Sequence, residues 1–401
     1  MSNVSTKSLQ ELGSQLLESL TALIQVDGRL PRPTDLSRWW DLDQTLCVRT
    51  CGALRNTDPL RVLHQLSSTG SLRSIAEAGR KKGVDPEVCG RAEHAIGVLE
   101  EAIANLGGKK ANLDTLIGSQ LVEAREKIEA TSKQSIFRGM SNLLGLSCDT
   151  VLTSYFVTAS KSQPGWVDEH ALYGSSSLRR LRPELTTLVG GRVLQGEALD
   201  ELEEAQAALH GGEITESGYS VALKDFSTAP FPDVEVILQA PRLLYTLPAS
   251  QTGESSEATM FFASIDQNAA PLTRQGDIES APYIFLPRNP SMQMLLDVFV
   301  HRDLWVGIEP ELDIGRGDTV LRPLGRADVL DQFDFCESLQ FIGSKRSAFA
   351  FKPLPRYVEM LETVAGQVGF DLDDFRLYRL HVRYPVTSLA YGIRFPLPDG
   401  D

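Results

Sequence analysis

No stretch of the 401 residues stays apolar for the roughly 18 positions that a bilayer-spanning helix requires, so no membrane partner is expected. The chain start, Met-Ser-Asn-Val-Ser-Thr-Lys, lacks the basic lead and apolar core of an export signal, and a cytoplasmic location is the expectation. Cysteine is scarce. The five, Cys47, Cys51, Cys89, Cys148 and Cys336, form no Cys-x-x-Cys pair, and their odd number argues against a disulfide framework and for reduced thiols. Cys47 and Cys51 lie four apart, on one helix face, either as buried small apolar groups or as a redox pair. Also missing are Gly-x-Gly-x-x-Gly, a P-loop, Gly-x-Ser-x-Gly and His-Glu-x-x-His. The histidines, His64, His94, His170, His210, His301 and His381, have no partners at zinc-ligand spacing. His301 and Asp303 read as an exposed pair on one strand face. The expectation is a protein with no cofactor, no metal and no enzymatic activity.

Hydrophobic content of 42% and charged content of 23% are those of an ordinary globular protein, and the length allows two or three domains. Net charge is −14, which disfavours a nucleic-acid partner until its distribution is read. Residues 1–135 hold 17 Lys and Arg against 17 Asp and Glu, which leaves 22 basic and 36 acidic residues, and all of the imbalance, in 136–401. A neutral front therefore precedes an acidic body.

Within that front, residues 34–55 read as two short amphipathic helices joined by a tight turn. Leu36, Trp39 and Trp40 give the first an inward face, Leu42 sits at the turn, and Leu46, Ala53 and Leu54 line the second. The other face of the second helix carries Gln44, Thr45, Val48 and Arg49, groups suited to base edges and phosphates. The segment resembles the helix-turn-helix domains of bacterial transcription regulators. Ser37 stands where the family has a small residue, and Asp41 where it often has a glycine with positive φ, a conformation Asp tolerates better than most. The resemblance implies duplex DNA as partner, with Gln44, Thr45, Val48 and Arg49 reading bases and Arg38 and Arg55 on phosphates. Arg29, Arg32, Arg38, Arg49, Arg55 and Arg61 cluster here, free for the backbone or paired with Asp35, Asp41, Asp43 and Asp58. Helices follow where a winged helix would place its two strands, so the subtype is left open. The reading from another class is a protein-interaction scaffold in which the hairpin is only a packing unit.

The expected fold class is α+β: an all-α helix-turn-helix domain over 1–110, a connector helix over 111–147, and a mainly antiparallel, strand-rich body over 148–401. Leucines at positions 9, 12, 16, 20 and 23 predict a helix over 7–24. Asp58-Pro59 and Asp85-Pro86 each supply a cap and a first-turn proline for helices reaching about 65 and 105. Another helix is expected over 71–83. The connector suits a two-fold axis in a homodimer, or a linker inside a monomer. In the body, strands are expected at 150–159, 219–224, 234–238, 243–247, 259–264, 283–286, 295–300, 304–308, 338–342, 348–351, 376–384 and 388–395. Helices are expected at 196–209 and 357–368, and long polar loops at 249–258 and 267–281. Along 376–384 the alternation places Tyr378, Leu380, Val382 and Tyr384 on one face and Arg379, His381 and Arg383 on the other. That cationic row either holds an anionic effector or pairs with carboxylates across the sheet.

Overall fold

The computed structural model describes residues 6–118, 120–182, 186–193, 201–214, 218–239, 242–249, 257–316 and 332–400. The chain divides into a helical unit, Met1–Thr131, and a strand-rich unit, Ser132–Asp401. The class is α+β, as the periodicities indicate.

The helical unit begins with α1 (Thr6–Ile24), whose Leu9, Leu12, Leu16, Leu20 and Leu23 are all buried. After it come α2 (Pro33–Trp40), α3 (Gln44–Ala53), α4 (Pro59–Gln65), α5 (Thr69–Lys81), α6 (Pro86–Asn105) and α7 (Lys110–Gly118). The starts obey the capping rule: Asp58 accepts from the Leu60 amide at 2.9 Å and Asp85 from the Glu87 amide at 2.7 Å, each with proline next in sequence. One core joins the leucines of α1 to Val62, Leu72, Ile75, Ile96, Leu99 and Leu113. Where α1 crosses α4, a Cβ on Gly13 would sit 2.3 Å from the Pro59 carbonyl oxygen. Gly13→Ala should therefore destabilise this unit by about 1–3 kcal/mol through overpacking, although alanine is the better helix former; a denaturant melt followed by helical circular dichroism measures it.

The expected single connector is two helices. Gly118 ends α7, and α8 (Val122–Leu144) starts after a break, with the division between the units falling inside it at Thr131.

In the strand-rich unit, β1 (Leu146–Ala159), β2 (Trp166–Arg180), β4 (Val221–Ala222), β7 (Glu257–Pro271), β9 (Ser291–His301), β11 (Gln340–Gly343) and β12 (Phe375–Arg383) form one sheet in the order β11-β12-β9-β1-β2-β7-β4. Its pairs are antiparallel except β1 with β9, which run parallel. Two small antiparallel sheets accompany it: β3 (Thr187–Val193), β6 (Arg242–Leu247) and β5 (Glu235–Gln239), and β10 (Glu311–Arg316), β13 (Leu389–Pro396) and β8 (Ser280–Phe285). Strand alternation gives the large sheet two buried faces. Met294, Leu296, Val298 and Val300 of β9 join a core with Tyr245, Tyr283, Tyr391 and Phe395 of the small sheets. Leu295 and Phe299 face the other way, onto α10 (Tyr357–Val368), with Phe156, Phe375, Met360 and Leu361. Helix α9 (Glu201–Gly211) packs Ala205 and Leu209 on the first core.

Several expectations need correction. The strands are not all short, β1, β2 and β7 having 14, 15 and 15 residues. Residues 304–308 form a turn in which Trp305 has φ 47°, and the strand expected at 348–351 is instead the end of a 3-10 turn, Arg346–Ala348, followed by an isolated bridge between Phe351 and Leu354. Asp303 consequently lies beyond β9, where it meets His301 at 3.5 Å as an exposed local pair. β2, β3 and β10 were not anticipated. Of the proposed 267–281 loop, the first part continues β7, and most of 249–258 lies outside the described residues.

Candidate nucleic-acid interface

The α2-α3 hairpin is built by its turn. Asp41 closes α2 in the left-handed conformation, φ 56° and ψ 48°, as expected of that position. The Ser37 hydroxyl donates to the Leu42 carbonyl at 2.6 Å and the Leu42 amide to the Ser37 carbonyl at 3.1 Å, binding the turn back onto the first helix. Asp43 then caps α3, accepting from the Leu46 amide at 2.9 Å. That bond, with the positive end of the helix dipole, offsets a carboxylate charge which would otherwise repel phosphate.

Helix α3 sorts its residues cleanly. Cys47, Thr50, Cys51 and Ala53 are buried, while Gln44, Thr45, Val48 and Arg49 are exposed, Val48 by 50%. Burial, followed by the neighbouring Cys51 and Asp43, pushes the Cys47 thiol up to about 11, so both cysteines act as small apolar core groups. On α2 the expected inward face loses one of its three residues. Leu36 is buried and Trp40 lies over Gly79 of α5, but Trp39 is 44% exposed.

The cations around α3 differ in freedom. Arg38 meets Asp35 at 3.1 Å on an exposed surface, a pairing worth little. Arg61 is held by Glu123 at 2.7 Å. Arg49 and Arg55 are exposed and make no ion pair among the described residues. Lys110 donates to the His64 and Leu66 carbonyls at the end of α4. Burial lowers its ammonium; Asp114 opposes this, whereas the charges of Lys127 and Arg49 add to it, so α7 brings Lys110 into the neighbourhood of Arg49.

The second sequence-derived site does not offer three open cations. Arg379 is 6% exposed and its guanidinium grips Asp297 at 2.7 and 2.9 Å while also donating to the Phe349 and Ala350 carbonyls. His381 is half-buried, with Nε2 2.6 Å from Gln293 Oε1 and its ring edge against Phe351; burial, then Arg379 and Arg383, lower its pKa. Arg383 is exposed, its guanidinium 6.0 Å above the Tyr384 ring. The carboxylate-pairing alternative accounts for Arg379. The sequence carried a signal for its partner: Asp297 interrupts Met-Leu-Leu-Asp-Val-Phe-Val, and a carboxylate inside so apolar a run needs a buried cation.

No protein-family model matches this chain, and no curated protein matches it. Among the described residues no group of three or more His, Cys, Asp or Glu is placed to hold a metal ion, and no helix is long and apolar enough to cross a membrane.

Proposed function

We propose that the helical unit binds duplex DNA and that α3 is its reading helix, as in a transcription regulator. One observation carries this: after a left-handed turn and an Asp cap, α3 buries Cys47, Thr50 and Cys51 and turns Gln44, Thr45, Val48 and Arg49 outward. Glutamine and arginine read adenine and guanine bidentately, and a threonine or valine methyl suits the thymine methyl. Arg38 and Arg55 flank them as phosphate contacts. On this reading the acidic strand-rich unit responds to an effector or mediates self-association, and its negative charge disfavours DNA contact with that unit.

Fluorescence anisotropy on mixed-sequence and selected duplexes tests it. Log affinity should fall linearly with log salt. Arg49→Ala should lose about 1–3 kcal/mol on the preferred sequence, whereas Arg55→Ala should weaken all sequences alike and reduce the salt slope by about one. Absence of binding at low ionic strength overturns the reading. In that case the reading that remains is the protein-interaction scaffold, in which the hairpin is only a packing unit and the acidic strand-rich unit binds protein partners.

A further inference from the structure

Packing alone grips α3 weakly. Its buried residues, Cys47, Thr50, Cys51 and Ala53, are all small, so little side-chain bulk interlocks with the neighbouring helices to fix its tilt. Polar groups hold its ends instead. Asp43 holds the first turn, and at the last turn Asn56, beyond the helix, does the equivalent. Its Nδ2 donates to the Gly52 carbonyl at 3.1 Å and the Ala53 carbonyl at 3.0 Å, two of the oxygens that a helix end leaves without an intrahelical partner. The same Nδ2 donates to Gln65 Oε1 at 3.0 Å. Gln65 is the last residue of α4, and that end of α4 is itself anchored: the Lys110 ammonium takes the His64 and Leu66 carbonyls, and Leu60, Val62 and Leu63 are buried. All three partners of Nδ2 are acceptors, so the position calls for a donor that aspartate, of the same shape, would not supply.

We propose that Asn56 is a positioning residue for the reading helix: by tying the end of α3 to Gln65 on α4, it holds Val48 and Arg49 at the angle that base contact needs. Val48 and Arg49 stand one helical turn before Gly52 and Ala53, so a swing at this end moves the residues that face the bases. Bidentate contact to a base edge tolerates little tilt, whereas a phosphate contact tolerates more. This role rests on the DNA-binding reading, and adds to it that sequence preference depends on a side chain in the linker between α3 and α4.

The affinity of the full chain for its selected duplex, divided by that for a mixed-sequence duplex, decides it. Asn56→Ala, which removes all three bonds, should cut this ratio about tenfold, and Gln65→Met, which removes one, about threefold. Mixed-sequence affinity and the salt slope should keep their wild-type values, because no phosphate contact is lost. Loss of folded protein would lower both affinities together and leave the ratio alone, which separates positioning from stability. Gln65→Glu still offers Asn56 an oxygen and should hold the wild-type ratio. Hydrogen exchange reads the tie without DNA: Asn56→Ala should speed exchange of the Leu54 amide, which closes the last turn onto the Thr50 carbonyl, and leave α1 unchanged. If the wild type binds no duplex, the DNA-binding reading falls and takes this role with it. If the wild type prefers its selected duplex, the positioning role alone falls when the ratio survives Asn56→Ala, when Gln65→Glu loses it as Gln65→Met does, or when Leu54 exchange is unmoved.

Discussion

Arg379→Met should destabilise the strand-rich unit by about 3–5 kcal/mol, among the largest effects any single exchange in this unit can have. Asp297 is fully buried between Leu295 and Phe299, and register places it directly opposite Arg379 on the neighbouring strand β12. Its carboxylate also accepts from the Tyr357 hydroxyl at 2.7 Å, which in turn lies 2.7 Å from Ser154 Oγ. Burial raises the Asp297 pKa, and Arg379 and Tyr357 pull it back. Methionine would fill much of the space but leave a buried carboxylate without its cation and the Phe349 and Ala350 carbonyls without donors. Arg379→Met with Asp297→Leu should recover part of the loss, since removing both charges ends the desolvation penalty; the remainder belongs to Tyr357 and the two carbonyls. Urea melts of the single and double variants give the comparison. A single variant within 1 kcal/mol of wild type would show the pair to be solvated in solution, and the 3–5 kcal/mol expected of a dry pair would then not apply.

The helical unit was legible because its signals are local. A cap followed by proline marks a start whatever the rest of the chain does, so α4 and α6 begin at Pro59 and Pro86 as read. The leucine stripe of α1 is likewise its core face. Trp39 and Trp40 marked the limit of this, since neighbours on a helix point about 100° apart and only tertiary packing on Gly79 decides that Trp40 goes in.

Strand β2 was missed for a different reason. Its Gly174-Ser175-Ser176-Ser177 looks like a turn, but the strand runs through it with a register shift against β7 between Ser175 and Leu178, where Ser177 takes φ 50°. Gly174 is there because a Cβ would lie 2.1 Å from the Met260 carbonyl oxygen on the neighbouring strand. Small residues mark both turns and close strand approach, and the sequence alone does not separate them. The outward residues of α3 could be listed from periodicity, whereas the burial of Arg379 could not, because it depends on β9 and β12 becoming neighbours across 82 positions of chain.

Raising the pH from about 4.5 to about 8 should lower the stability of the strand-rich unit by about 3 kcal/mol through one carboxyl group, Glu169. It stands on β2 directly opposite Asp266 on β7, with the Tyr155 and Tyr283 hydroxyls nearby. Burial, then the charge of Asp266, pushes Glu169 up to about 8, and the nearby Tyr283 hydroxyl opposes them. In the unfolded chain the same group loses its proton near the ordinary carboxylate value. Below that value both states are protonated and nothing is lost. Between the two values the folded state alone holds the proton, so stability falls as pH rises, by up to about 1.4 kcal/mol per unit, and levels off above the folded value. Partial solvent contact at Glu169 keeps the total below the full product of that slope and the window. His170, on the opposite face of β2, works in the other direction: burial, against Asp168, lowers it to about 4, so its contribution is lost as pH falls from about 6.5 through that value. Glu169→Gln separates the two. Its urea-melt stability should exceed wild type by about 3 kcal/mol at pH 8.5 and keep the acid loss, while the difference between the two proteins closes toward pH 4.5. Asp266→Asn should flatten the slope only in part, since desolvation outweighs the Asp266 charge. A difference between wild type and Glu169→Gln that stays constant across the range would show that Glu169 titrates normally and that the β2-β7 pair is open to water.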